Sequence, residues 1–160
     1  MAMSGPIQAA MHGFREIILG GIPFLLQRNE TAFLSFMCSL SAVDALAAYR
    51  YEQESVTVRY LKFIQSYFPA EYSGHAEKLY ILRCRMLHNF SPAHFSLVHA
   101  EPGKHLTASA IDTFLSDDSF FADLKIASEN FFAEVAADPA RQSAMDNRLA
   151  NVDKGGAIYF

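Results

Sequence analysis

The chain has 160 residues and a mass of 17.8 kDa, which suits one domain with its own hydrophobic core. Hydrophobic residues make up 51% of it and charged residues only 19%, a composition that excludes an intrinsically disordered chain. The net charge of −4 excludes a general attraction to nucleic acid or to anionic membranes, so a polyanion would have to be bound by a local cluster of cations.

The N-terminal part of the sequence predicts a helix and no targeting segment. Apolar residues recur there at helical spacing, at Ile7, Met11, Phe14 and Ile18. The helix is expected to end at Gly20-Gly21. The first fourteen residues contain no Lys or Arg, and the two glycines and Pro23 interrupt the apolar run. We therefore expect a soluble, cytoplasmic protein that does not insert into a membrane.

Two further helices are predicted before residue 70. The first, residues 30–51, has an apolar stripe of Phe33, Phe36, Met37, Leu40, Val43, Ala47 and Tyr51. Asp44 falls at the centre of that stripe, where a charge is unexpected. Ser55 can cap the next helix, which Pro69 ends. Its apolar face consists of Tyr60, Leu61, Ile64, Tyr67 and Phe68.

A fourth helix, residues 73–89, carries an arginine inside its apolar face. At about 100° per residue one stripe collects Leu79, Leu82, Met86, Leu87 and Phe90. Arg83 lies within that stripe. Burying an unpaired guanidinium costs several kcal/mol, so Arg83 must find a carboxylate, a cleft or a partner chain.

The remaining sequence predicts a small β-hairpin and two more helices. Residues 94–99 alternate like a strand, residues 101–104 resemble a turn, and residues 105–107 are expected to return as the second strand. Helices are predicted over residues 119–137 and from Pro139 to about residue 150, and residues 157–160 are expected to add an edge strand. The fold class is therefore mainly all-α, an up-and-down bundle of five to six helices with a hairpin inserted after the fourth, in a single domain.

Asp44 and Arg83 are each the lone charge of an apolar stripe, which predicts that they pair. A bidentate pair would satisfy both groups. The pair is either a purely structural device or a means of holding the guanidinium at the rim of a cleft, with N–H donors left for a phosphate. His88 follows Arg83 on the same helix, offset by about 140°. It is therefore either exposed at the helix end or part of a groove that a second subunit completes.

The fourth helix ends in an Arg-x4-His motif that resembles the HEPN domains (higher eukaryotes and prokaryotes nucleotide-binding). The motif stands in the setting Leu79-Tyr80-x-x-Arg83-Cys84-x-x-x-His88-Asn89. The phrase Ser41-Ala42-Val43-Asp44-Ala45-Leu46 is similar to the acidic position on the long helix that precedes the motif in that family. The resemblance covers the layout of residues 30–135. It implies an all-α bundle that dimerises through its motifs and, as in many members, acts as a metal-independent endoribonuclease.

The resemblance also implies a role for each residue of the motif. Arg83 would bind the scissile phosphate and stabilise its developing charge. His88 would be the general acid or base for attack by the ribose 2′-OH. Asp44 would orient Arg83, and Asn89 would contribute a hydrogen bond. Arg85, on the His88 side of the helix, either adds positive potential to the substrate cleft or is a solvated surface residue.

The cysteines and histidines bear on cofactors and on the alternative function. Cys38 and Cys84 are predicted to be buried free thiols. The family usually has a polar residue where Cys84 stands, so the alternative is a non-catalytic module that binds a protein or a nucleotide. No metal or cofactor is expected, because the histidines show no paired ligand spacing: His75, His94, His99 and His105. The expected partners are a second copy of the chain, RNA or a nucleotide, and an antitoxin or another protein.

Overall fold

The structure, a computed structural model, describes residues 3–151 in full and the backbone of Val152. Within that range the chain is a helical bundle with a small two-stranded sheet, which confirms the predicted fold class. Its buried apolar side chains form one connected core. The edge strand predicted for residues 157–160 lies outside the described residues.

The described elements follow one another from an N-terminal helical arm to a C-terminal helix. They are α1 (Gly5–Gly13), α2 (Gly20–Leu25), α3 (Ala32–Arg50), α4 (Val56–Tyr67), α5 (Ala76–Asn89), β1 (Phe95–Val98), β2 (Thr113–Ser116), α6 (Asp117–Ala137) and α7 (Pro139–Val152). A π-helical stretch, Phe14–Leu19, joins α1 to α2 without a break. Counted with that arm as one unit, the described part of the bundle has six helical units. Short 3-10 turns precede α3 and α5 and follow β1.

The helical arm continues through the two glycines at which it was predicted to end. Gly20 has a right-handed helical conformation, with φ −81° and ψ −29°, and α2 runs on to Leu25. A glycine costs a helix about 1 kcal/mol relative to alanine. Leu19 and Ile22 flank the glycines and are 9% and 2% exposed, and their burial against the core offsets that cost.

Helix α3 runs through the centre of the molecule and contacts α2, α4, α5, α6 and α7. The segment Asn29–Arg50 is long and apolar enough to cross a membrane by length and composition, and half of its most apolar window is buried by the rest of the protein. Ser55 caps α4 as predicted, because its hydroxyl accepts the N–H of Val58 at 3.4 Å. All five residues of the stripe predicted on α6 are buried: Phe120, Leu124, Ala127, Phe131 and Val135.

The predicted β-hairpin is wrong in its second strand. β1 forms where the alternating pattern placed it, but its neighbour is β2, which runs parallel to it with Phe95 opposite Thr113. Residues 99–112 make the crossover that a parallel pair needs, here without an α-helix. The insertion is thus a parallel strand pair whose second strand leads directly into α6.

Residues 105–107 fail to form a strand because the backbone turns within them. Leu106 has a φ of 56°, in the left-handed region that a strand does not adopt. Its N–H still donates to the carbonyl of Phe114 at 2.9 Å, and the N–H of Phe114 donates to Thr107 at 2.8 Å. The segment therefore borders β2 as a loop with satisfied hydrogen bonds.

A buried network fixes that loop to α6. The backbone N–H of Ser116 donates to Nδ1 of His105 at 3.1 Å, so the proton of the neutral ring lies on Nε2. Nε2 then donates to the Tyr72 hydroxyl at 2.7 Å, and that hydroxyl donates to Asp123 at 2.7 Å. Burial lowers the pKa of His105, against the opposing influence of Asp123.

This network predicts a loss of stability below about pH 6.5. As the pH falls through that value, the unfolded chain binds a proton at His105 that the folded ring, with its lowered pKa, does not yet bind. The free energy of unfolding should therefore decrease as the pH falls below about 6.5, and less steeply in His105→Gln. Denaturant unfolding across that range measures the slope. His12→Gln, at an exposed histidine, should keep the wild-type slope, and an equally steep slope in His105→Gln would contradict the prediction.

Candidate functional site

Arg83 of α5 and Asp44 of α3 form the predicted ion pair. Nη2 of Arg83 donates to Oδ2 of Asp44, and the two side chains are 21% and 15% exposed. Leu87 and Phe90, expected on the same buried stripe, are 37% and 70% exposed. Arg83 therefore lies at the edge of the buried face of α5 and not at its centre, so the pair is partly open to solvent.

The pair is not bidentate, because a second arginine takes the other carboxylate oxygen. Nη2 of Arg59, on α4, lies 3.5 Å from Oδ1 of Asp44. The Arg59 side chain is only 12% exposed. The sequence analysis missed Arg59. Its one available signal is that it stands one helical turn before the buried Phe63, at the border of the apolar face of α4.

The cluster formed by Asp44, Arg59 and Arg83 has an unbalanced positive charge and several polar atoms without hydrogen bonds. Two guanidinium groups carry two positive charges against the single negative charge of Asp44. Nε of Arg59, Nε of Arg83 and the hydroxyl of Tyr60 are buried without a hydrogen-bond partner in the described part of the chain. Burial, and then the charge of Asp44, raises the pKa of Tyr60, so its hydroxyl stays neutral. A cluster with one positive charge in excess is chemically suited to an anion.

The two cysteines are free, as predicted, but they are not buried. Cys38 is exposed and Cys84 is half-buried. Cys84 follows Arg83 along α5, and Nη1 of that arginine lies 3.9 Å from its Sγ. Cys38 is turned outward because the buried residues of α3 lie on its other faces. The thiol next to Arg83 is a weak acceptor in place of the polar group that the resemblance implied.

His88, Arg85 and Asn89 lie on a different side of α5 from the ion pair. All three are exposed, and their spacing along the helix places them on one face. Within the described residues, no hydrogen bond or ion pair joins any of them to Asp44 or Arg83. The single chain therefore brings together only part of the predicted site.

A large apolar groove lies beside α3. It has a volume of about 540 Å³ and lies between the helical arm and α3, with Leu87 of α5 at its border. Its exposed apolar side chains include Ile17 at 45%, Leu34 at 46% and Leu87 at 37%. Leu87 follows Arg83 by one helical turn, so the border of the groove on α5 is near Arg83. An exposed apolar surface of this kind is a candidate interaction surface.

The four histidines considered as metal ligands are used elsewhere or stand apart. His105 belongs to the Tyr72 network, and Nδ1 of His99 donates to Oδ2 of Asp117 at 2.7 Å. Within residues 3–152, no group of three His, Cys, Asp or Glu side chains is arranged to hold a metal ion.

Two chemical capabilities are present, on different sides of α5. The arginine cluster can bind a phosphate and offset charge that develops on it, and an exposed imidazole at the end of α5 can transfer a proton. Comparison of the chain with family models, curated proteins and solved structures found no match. The function must therefore be argued from the chemistry of these residues.

Proposed function

We propose that the protein is a HEPN-like homodimer that acts on RNA as a metal-independent endoribonuclease of the toxin type. The observation that carries this proposal is that Arg59 and Arg83 share the single carboxylate of Asp44. One carboxylate cannot balance two guanidinium groups, so one positive charge remains for a phosphodiester. The type of reaction is inferred from the resemblance of the Arg-x4-His motif to the HEPN domains.

In the proposed reaction the ribose 2′-oxygen attacks the adjacent phosphorus. The bond from phosphorus to the 5′-oxygen breaks, which leaves a 2′,3′-cyclic phosphate and a 5′-hydroxyl. Arg83, oriented by Asp44, binds the non-bridging oxygens and stabilises the charge that grows on them. His88 takes the proton of the 2′-hydroxyl or gives one to the leaving oxygen. Asn89 and Arg85 hold the neighbouring RNA.

The proposed site needs a second subunit. Arg83 and His88 point about 140° apart on α5, so one chain does not present both to the same phosphate. In the proposed dimer a two-fold related copy covers the apolar groove. Leu87 lines the groove and directly precedes His88, so the ends of both α5 helices would lie at this interface. The exposed leucines and isoleucine of the groove would then be buried.

Leu34→Glu is expected to convert the dimer to a monomer. A buried glutamate in the centre of an apolar interface costs several kcal/mol, whereas Leu34 is already 46% exposed in the single chain and tolerates the change there. Light scattering after size-exclusion chromatography measures the mass. Ile126→Glu, at an apolar residue that is 58% exposed on α6 outside the groove, is the matched control and should stay dimeric. A monomeric wild type would reject the dimer.

RNA cleavage in the presence of EDTA tests the proposed function. The wild type should cut single-stranded RNA, and His88→Ala should lose about two to four orders of magnitude in rate. Because His88 is exposed and its side chain makes no hydrogen bond to any residue that the structure describes, the variant should unfold at the wild-type temperature. His12→Ala replaces an exposed histidine on α1 and should cleave normally. Equal cleavage by the wild type and His88→Ala would rule the proposal out.

The thiol beside Arg83 favours the alternative, a non-catalytic module that binds a partner protein such as an antitoxin, or a nucleotide. Cys84 leaves the guanidinium without the polar neighbour that the resemblance implied. In that case Asp44, Arg59 and Arg83 act in stability alone. Arg83→Ala would then lower the melting temperature, while His88→Ala would change neither stability nor any signal from RNA.

A further inference from the structure

A second cavity lies on the other side of α3 and is built differently from the apolar groove. It has a volume of about 300 Å³ and lies between the start of α3 and β1. Its lining combines the rings of Phe33 and Phe36 with two polar side chains, Asn29 and His99. Mostly apolar walls with a few placed polar groups are typical of small-molecule sites, and this volume is at the lower end for them.

The imidazole of His99 is held in a fixed orientation. Its Nδ1 lies 2.7 Å from Oδ2 of Asp117, whose side chain is only 1% exposed. The carboxylate is itself fixed, because Oδ1 accepts the N–H of Ala100 at 3.0 Å and that of Asp118 at 2.8 Å. A carboxylate at Nδ1 places a proton there and leaves Nε2 as the free nitrogen of the ring.

That free nitrogen has no partner within residues 3–152. It is not fully buried, so it is accessible to solvent. The side-chain amide of Asn29, an exposed residue that lines the same cavity, likewise makes no hydrogen bond to a described residue and offers both N–H donors and an acceptor oxygen.

Two phenylalanines line the cavity, and one of them is close to a third phenylalanine at the end of α5. Phe36 is 1% exposed and closes the inner end. The ring of Phe33 lies 6.2 Å from that of Phe90, which is 70% exposed and comes two residues after His88. Phe90 has a left-handed backbone conformation, with φ 50°, at the end of α5. Its position therefore follows from the way the helix ends and not from burial of its ring.

We propose that this cavity binds a planar nitrogen heterocycle of the nucleobase type. The base stacks on Phe33, its edge hydrogen-bonds with Nε2 of His99 and the amide of Asn29, and Phe90 extends the stacking surface toward His88. Flat rings joined to fixed donors and acceptors are the chemistry that reads unpaired bases. The identification of the heterocycle as a base of RNA rests on the proposed function, whereas the cavity chemistry does not.

Calorimetric titration tests the proposal with two sources of the same base. One arm uses the four ribonucleoside 5′-monophosphates, with ribose 5-phosphate as the ligand that lacks a base. The other arm uses a short single-stranded RNA carrying 2′-O-methyl groups, which cannot be cleaved by attack of a 2′-hydroxyl. The variants are Asn29→Ala, at an exposed residue, and Phe33→Leu. Asn130→Ala, at an exposed asparagine on α6, is the control. His99 is left in place because its removal would deprive the buried Asp117 of a donor.

Binding of nucleotides or of RNA should weaken about tenfold in Asn29→Ala and in Phe33→Leu, and should not change in Asn130→Ala. Weaker binding in the first arm identifies a free nucleotide, and weaker binding in the second arm alone identifies a base within RNA. Equal binding of ribose 5-phosphate, or unchanged affinity in Asn29→Ala, would overturn the proposal. Nucleotide binding by a protein that does not cleave RNA would sustain this inference and reject the nuclease. If the protein cleaves RNA but these variants do not change binding, the nuclease is sustained and this inference is rejected.

Discussion

RNA cleavage should fall by about two to three orders of magnitude when Arg83 is replaced by alanine. The guanidinium is the most exposed group of the cluster, at 21%, and it is one of the two whose combined charge Asp44 balances only in part. The loss should appear in kcat as well as in binding, because the charge on the non-bridging oxygens grows during the reaction. Single-turnover rates with saturating RNA separate the two contributions.

Two further variants define what Arg83 contributes. Arg83→Lys keeps the charge but loses the planar pair of donors, so we expect it to recover only part of the rate. Arg28→Ala removes an exposed arginine just before α3 and should leave the rate unchanged. If a folded Arg83→Ala variant cleaved RNA at the wild-type rate, the phosphate would not be bound where we place it.

Asp44→Ala should be the most destabilising substitution in the cluster. It leaves the guanidinium groups of Arg59 and Arg83, only 12% and 21% exposed, to repel each other without a shared carboxylate. Leaving a largely buried charge unpaired costs about 2–4 kcal/mol. For a chain of this length that lowers the melting temperature by roughly 5–10 °C. Differential scanning calorimetry measures the shift.

The control for this substitution is an ion pair of the same kind on the surface. Glu101 pairs with Lys104 at 3.1 Å, and both side chains are about half exposed, at 50% and 48%. Glu101→Ala should cost less than about 1 kcal/mol. If Asp44→Ala cost no more than this control, the charge cluster would contribute nothing to stability, and the electrostatic argument for an anion site would lose its basis.

The helices could be predicted from the sequence because their apolar residues repeat with the helical period. The stripe of α6 is buried at every predicted position, since a long amphipathic segment has one way to bury its apolar side. The helical arm formed by α1 and α2 is longer than the helix that the sequence predicted. Local preference ends a helix at Gly20-Gly21, but burial of Ile22 by distant parts of the chain sustains it.

The second strand was missed because strand pairing is a non-local choice. Residues 105–107 are nearer to β1 along the chain, yet Leu106 adopts a left-handed conformation that no local pattern announces. Thr113–Ser116 pairs instead because Thr113, Leu115 and Ser116 are buried between β1 and the bundle. Register and direction depend on that packing.

The site was predictable in part. Asp44 and Arg83 could be matched because each was a lone charge in an apolar stripe and the two helices had to face each other. Arg59 could not, because it lies at the border of its stripe and its reach to Asp44 depends on how α4 crosses α3. Cys38 was expected to be buried, and the groove beside it accounts for its exposure.

The end groups of the RNA products test the central claim most directly. If Arg83 and His88 cleave RNA through attack of the 2′-hydroxyl, wild-type protein in EDTA should leave a 2′,3′-cyclic phosphate and a 5′-hydroxyl, and mass spectrometry of the fragments distinguishes these from the products of hydrolysis. His88→Ala should yield almost none of them. Products with a 5′-phosphate and a 3′-hydroxyl, or no products at all, would contradict the account.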